Sequence, residues 1–223
     1  MNYESAVRYL LSLGRELAAP TQATAAKFNL ENITTLLDRL ARPHRAYPVV
    51  HIAGTNGKGS TAAFMERILR EAGFRTGLYT SPHLERINER MRIAGEEIAD
   101  ERFAEIFSRI HAVIEELLAE GALRAHPTFF ECVTALAFEA FAQERVEFAV
   151  IEVGLGGRLD ATNVVAPVVS VVTRIDFDHE NYLGHSLREI AGEKAGILKA
   201  QVPAVFAEQL PEDRKSTRLN SSH

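Results

Sequence analysis

The chain has 223 residues, 46% of them hydrophobic, with 25 Lys and Arg against 30 Asp and Glu and a formal charge of -5. Such totals suit a soluble globular protein of one or two domains. The acidic balance excludes a dedicated nucleic-acid binder, which needs excess cations against phosphate, and the single cysteine, Cys132, excludes an intrachain disulfide.

The opening Met1-Asn2-Tyr3-Glu4 has no basic patch followed by an apolar stretch. No apolar run approaches the roughly 20 residues that span a bilayer, so a cytoplasmic protein without membrane contact is expected. Residues 4–13 and 30–41 place apolar side chains three and four apart, which predicts two helices with one buried face each. PVVHIAG (48–54) reads as a short strand ending in Gly, and 60–73 returns to helical period. A strand at 76–80 is followed by a polar loop and a long helix near 100–119 with Asp100 as its N-cap. A helix over 128–143, buried strands at 147–154 and 168–173, a helix near 186–197 and a strand at 202–206 complete the pattern. The alternation predicts an α/β fold: a mostly parallel sheet flanked by helices on both faces, filling 1–210. PEDRKSTRLNSSH (211–223) has one apolar residue, Leu219, and no periodic face, so it reads as a disordered or foreign extension.

HIAGTNGKGST (51–61) carries the strongest chemistry. Gly54, Gly57 and Gly59 allow a sharp turn that brings backbone N–H groups to a polyphosphate at the positive end of the following helix, and Lys58 can reach the outer phosphates. Ser60 or Thr61 would supply a hydroxyl near a metal ion. The strict G-x-x-x-x-G-K-[ST] loop is not met, because Ile52 stands where its first Gly belongs and Gly59 separates Lys58 from Ser60. A glycine turn without a ligand, a kinase or a generic nucleoside triphosphatase are the alternatives at this point.

Glu152 ends the strand of IEVGLGGRLDATN (151–163), at the rim where open parallel sheets bind ligands. A carboxylate there is costly to bury alone, so a metal or a cation is expected beside it. Asp176, Asp178 and His179 leave the next strand toward the same rim. Lys194 lies in a helix among Ala195, Gly196, Ile197 and Leu198, a setting that lowers an amine's pKa; the alternative is an exposed lysine pairing with Glu193. TFFE (128–131) fits a capping box, with Thr128 at N-cap and Glu131 at N3.

Taken together, FNLENI (28–33), HIAGTNGKGS, TSPHL (80–84), INER (87–90), TFFE, EVGLGGRLDATN and EKAGILK (193–199) resemble the bifunctional dihydrofolate synthase/folylpolyglutamate synthases of the wider Mur ligase family, over roughly residues 3–207. The resemblance implies a P-loop NTPase-like central domain, cut before the smaller domain that contributes to glutamate binding. It implies ATP binding by Gly54, Thr55, Asn56, Gly57, Lys58, Gly59, Ser60 and Thr61. Ser81, Glu152 and His179 match magnesium ligands, two metal sites are expected, and Lys194 matches a lysine that is carbamylated. Lys58, Lys194 and His179 are the implied catalytic groups. Phe28, Asn29, Leu30, Thr128, Phe129, Phe130, Glu131, Leu159, Asp160 and Ala161 match positions lining a pteroate or folate site. The implied activity is ATP-dependent addition of L-glutamate to dihydropteroate or folates through an acyl phosphate. ATP, glutamate and dihydropteroate or folate are the expected partners of a monomer, with this fragment inactive alone. A cell-wall precursor amino-acid ligase and a noncatalytic nucleotide-binding fragment are the alternatives. The resembled proteins commonly have Gly-Leu where this chain has Asp176-Phe177, which adds a charge beside the implied metal site.

Overall fold

The computed structural model describes residues 1–14, 29–178 and 180–209; Phe28, His179 and the segment 211–223 lie outside the described residues. Its strands are β1 (Val49–Ala53), β2 (Thr76–Tyr79), β3 (Met91–Ile93), β4 (Glu96–Glu97), β5 (Phe148–Glu152), β6 (Val169–Val172) and β7 (Ala204–Phe206). They form one sheet in the order β4-β3-β2-β5-β1-β6-β7. The five strands from β2 to β7 in that order pair in parallel, while β3 and β4 run antiparallel at one edge.

The expected polar loop after β2 therefore hides a hairpin. Its turn residues, Ala94 and Gly95, both have positive φ, 51° and 89°, the backbone that tight hairpins need. A left-handed Ala-Gly pair is a weak sequence signal, and β4 is only two residues long. That short strand ends in Glu96-Glu97, charges that discourage further pairing at the edge.

Period-two alternation along the central strands divides the core. Val50 and Ile52 of β1, Val150 of β5 and Val171 of β6 pack with Ala62 beneath helix α3 (Lys58–Glu71). The opposite face carries α1 (Tyr3–Ser12), α2 (Glu31–Arg39), α4 (Asp100–Ala119) and α5 (Phe129–Gln143) in one large core with Val49, Ala149 and Ile151. Eight of the ten residues from Cys132 to Phe141 are buried apolar side chains, so α5 is enclosed on all sides, as its apolar sequence requires. Cys132 lies inside that core and burial pushes its thiol pKa up, so it is a packing residue and not a nucleophile. On the α3 side, buried Glu66 accepts hydrogen bonds from Arg70 Nε (2.9 Å) and the Thr76 hydroxyl (2.6 Å), which ties that helix to β2.

The start of α4 corrects one expectation. Ala99 occupies the N-cap, and Asp100 is the first helical residue. Its carboxylate accepts from Arg86 and from Asn88 Nδ2, so it is committed to the preceding loop and still complements the helix's positive end. Two further helices among the described residues, α6 (Glu180–Leu183) and α7 (Leu187–Ala195), pack near β6, with Ile190 and Ala191 against Val172 and Ile175. Ser186 and Glu189 form a capping box that starts α7. No helix among the described residues is long and apolar enough to cross a membrane.

Candidate functional site

The phosphate loop leaves β1 at its carboxyl end. Gly54 has φ 145°, and a Cβ there would lie 1.8 Å from the Thr173 Oγ1, so both backbone and space demand glycine. Gly54→Ala is expected to cost more than about 2 kcal/mol, read as a fall in the urea midpoint; an unchanged midpoint would contradict this packing. Beyond it, the Thr55 and Asn56 amides donate to the Arg174 carbonyl at 3.0 and 3.3 Å. The Thr55 hydroxyl donates to the Asp176 carbonyl and accepts from the Asp176 amide, both at 3.0 Å. Gly57, left-handed at φ 84°, takes the N-cap of α3. The loop is thus pinned to the segment after β6 while α3 aims its free N–H groups at the space above it.

Lys58 Nζ donates to the Thr55 carbonyl at 3.1 Å, so its ammonium curls over the loop. The Thr61 hydroxyl donates back to the Gly57 carbonyl at 2.8 Å and serves the helix, whereas Ser60 is exposed. α3 begins at Lys58, two residues before the position expected from periodicity, because Gly57 supplies the cap without a side chain.

Glu152, the last residue of β5, comes to the same rim. It is buried, and a Cβ on Gly59 would sit 3.4 Å from its Oε2. Oε2 accepts from the Ser81 amide at 3.2 Å. Desolvation raises the carboxyl's pKa, opposed by that amide and by the charges of Lys58 and Arg90. Lys194 reaches the rim from α7. Its buried ammonium donates to the Gly54 carbonyl at 2.9 Å, and its pKa is lowered to about 8, first by burial and then by the charge of Lys58. It does not pair with Glu193, whose carboxylate takes Arg158 at 2.8 Å. Asp178 faces Lys194 closely enough to oppose that shift. Lys58, Gly59, Ser81, Glu152 and Lys194 therefore meet at one place.

Among the described residues no three His, Cys, Asp or Glu side chains converge as a metal cage. Ser81 and Glu152 nevertheless fit magnesium: a hydroxyl residue and a desolvated carboxylate are hard oxygen donors, and this ion binds through one or two carboxylates plus phosphate oxygens. The extra charge at Asp176 is contained locally, since its Oδ1 accepts the Phe177 amide at 2.9 Å.

The three segments expected to line a pteroate site also converge. Asn29 Oδ1 accepts the Glu31 amide (3.0 Å), and Leu30 caps α2. Thr128 and Glu131 form the expected capping box at α5, with the Glu131 carboxylate accepting the Thr128 amide at 2.7 Å and also the Ile33 amide of α2. Glu131 is buried, and desolvation raises its pKa. Phe130 lies against Gly154, where a Cβ would come within 2.5 Å of its ring, and its ring is 6.1 Å from that of Tyr79. Phe129 is buried beneath the Arg90 guanidinium, 5.5 Å from its ring centre. Leu159 is half-buried, and buried Asp160 caps a 3-10 turn, Ala161–Val164, that packs on α2 and α5. Gly154, which Phe130 touches, is thus two residues beyond Glu152 along the same strand exit.

Sequence reasoning gave no role to two groups at this centre. Arg90 of the INER motif is almost fully buried, donates from Nε to His83 Nδ1 at 2.8 Å, and adds positive potential at Glu152. Its place in the INER motif, between Ile87 and Met91, both core residues, was its signal. His51, within β1, is fully buried and bonded to Thr162; a histidine inside a β-branched run was the corresponding sign.

Residues 52–219 match the Mur ligase middle domain. The dihydrofolate synthase/folylpolyglutamate synthase of Bacillus subtilis is 44% identical over 187 residues, covering 83% of this chain and 43% of that protein. The folylpolyglutamate synthase of Lacticaseibacillus casei is 40% identical over 212 residues, covering 95% of this chain and 47% of that protein. Among solved structures, the apo form of L. casei FPGS superposes with a TM-score of 0.90 at 39% identity, covering 99% of this chain and 52% of that one. An FPGS–AMPPCP–folate complex gives 0.90 at 40% identity with the same coverage. The chain spans about half the length of these relatives. Its mostly parallel α/β sheet, its phosphate loop and these matches place the chain in the Mur ligase family.

Proposed function

We propose that this chain is the nucleotide- and pteroate-binding portion of an ATP-dependent ligase that adds L-glutamate to dihydropteroate or folates through an acyl phosphate, with Mg2+ as its metal. The observation that carries this is the position of Glu152. It has the phosphate loop on one side, at Gly59, and the Phe130–Gly154 contact two residues away on the other. A metal-bound triphosphate and an aromatic acceptor would therefore meet across one short strand exit. The relatives support the substrate pair, since one is a complex with both AMPPCP and folate.

In this reading the amides of Gly57 to Ser60 and the Lys58 ammonium hold the phosphates, and Asn29, Leu30, Phe28, Thr128 to Glu131 and Leu159 to Ala161 surround the pteroate. The acceptor carboxylate attacks the terminal phosphorus and ADP leaves; the glutamate amine then attacks the acyl carbonyl, expelling phosphate and losing its proton. Electrostatic stabilisation of the transferring phosphoryl group supplies the catalysis, so no nucleophilic side chain is required. Magnesium held by Ser81, Glu152 and His179 would offset charge on that group. Lys194, carbamylated, would become an anion able to help hold a second ion.

The test is ADP release by the full reading frame that contains these residues. Release that requires both glutamate and a pteroate or folate is expected, and release indifferent to both would overturn the proposal.

A further inference from the structure

The loop after β5 is held by a buried chain of hydrogen bonds that begins in β1. Asp160 accepts from the amides of Leu155 (2.9 Å), Thr162 (3.0 Å) and Gly154, and from the Thr162 hydroxyl. The Thr162 hydroxyl has thereby spent its proton on a carboxylate, and it lies 2.9 Å from His51 Nε2. Thr162 can only accept from that ring, so His51 is the neutral tautomer with its proton on Nε2. Full burial and the nearby Lys199 charge hold the imidazole neutral, its pKa down at about 3.

This tautomer leaves Nδ1 with an unshared lone pair at a fully buried position, and among the described residues that atom has no partner. An apolar side chain at position 51 would avoid the penalty of the orphan acceptor. The bond to Thr162 is what the imidazole offers in return. It fixes the hydroxyl's direction, the hydroxyl fixes Asp160, and Asp160 closes the turn that begins at Gly154.

The same turn is closed against α7 as well: the Arg158 amide donates to the Glu193 carbonyl at 2.8 Å, and a Cβ on Gly157 would lie 2.7 Å from that oxygen. We propose that His51 is a positioning residue, which acts through Thr162 and Asp160 to hold the 154–163 loop in its shape. Its consequence for substrate, that the pteroate wall at Leu159 to Ala161 is set from β1, rests on the proposed function; the hydrogen-bonded staple itself does not.

The experiment separates the two. Imidazole 15N spectra of the 223-residue chain are expected to show one ring with its proton on Nε2 and Nδ1 bare; a proton on Nδ1 would overturn the proposal. Amide exchange is then compared across variants. In His51→Leu the Leu155 and Thr162 amides are expected to lose about tenfold in protection, the scale of one hydrogen bond. The Thr55 and Asn56 amides, bonded to Arg174, should stay within about twofold by the same conversion. His51→Gln places an amide donor near the Nε2 position and is expected to restore protection, whereas His51→Asn, whose amide reaches only the Nδ1 position, is not. Equal loosening of both loops, or rescue by Asn in place of Gln, would show a general packing role and overturn the proposal. If the staple behaves as stated while folate affinity in the full reading frame is the same in His51→Leu and wild type, the proposed pteroate site fails and the staple stands.

Discussion

Glu152→Gln is expected to abolish most of the gain in ATP affinity that Mg2+ confers, by at least about tenfold, while making the fold more stable. Both effects come from one carboxylate. In the folded chain it is buried at the end of β5, its pKa raised because desolvation disfavours the charged form. The folded pKa lies above the unfolded one, so this group's contribution to stability is greatest at low pH and is lost as pH rises through its raised folded value. A neutral amide of the same shape escapes that cost and leaves an oxygen to accept the Ser81 amide (3.2 Å). What it cannot do is neutralise a divalent ion. Titration of ATP with and without Mg2+, beside a urea melt at neutral pH, gives both answers. Intact metal dependence in Glu152→Gln would remove this carboxylate from the site.

Lys194→Met is expected to have an effect of similar size with a different signature. The ammonium is buried in α7 against the Gly54 carbonyl, and burial, helped by the charge of Lys58, lowers its pKa from 10.5 to about 8. Between those values the unfolded chain binds more protons than the folded one, so stability rises with pH across the window from about 8 to 10.5. The shift corresponds to about 3 kcal/mol at most; Lys194→Met should recover part of it at pH 7 and flatten the rise above pH 8. The same depressed pKa leaves a useful fraction of neutral amine. In bicarbonate that amine can attack carbon dioxide, forming an N–C bond and releasing a proton. Intact mass under bicarbonate is therefore expected to show one added carbon dioxide in the wild type and none in Lys194→Met. No adduct in either would leave Lys194 as a cation that braces the phosphate loop through Gly54.

Much of the fold was legible because the elements that matter are locally consistent. β1, β5 and β6 are β-branched runs buried on both faces, and α5 announces itself through Thr128 and Glu131. The β3–β4 hairpin was not legible, since its Ala94-Gly95 turn and two-residue edge strand leave almost no pattern. The N-cap at Ala99 was missed because Asp100 is occupied by Arg86 and Asn88, a tertiary contact no local window contains. At the site, Lys58, Glu152 and Lys194 were readable from motif and strand position, and the structure brings them together. Arg90 and His51 were not, because a buried polar residue is visible only once its neighbours are known. Their surroundings, Phe129 and His83 for one and Thr162 for the other, come from segments about 7 to 111 residues away in sequence.

The central claim is that a metal-bound triphosphate sits between the loop Gly54 to Ser60 and the Ser81–Glu152 contact. Paramagnetic broadening by Mn2+ with a nonhydrolysable ATP analogue reads this directly from backbone amides. Broadening centred on Gly57 to Thr61, Ser81 and Val153, and absent in Lys58→Ala, is the predicted result. Broadening centred on the opposite edge of the sheet, or spread evenly over the acidic surface, would contradict it.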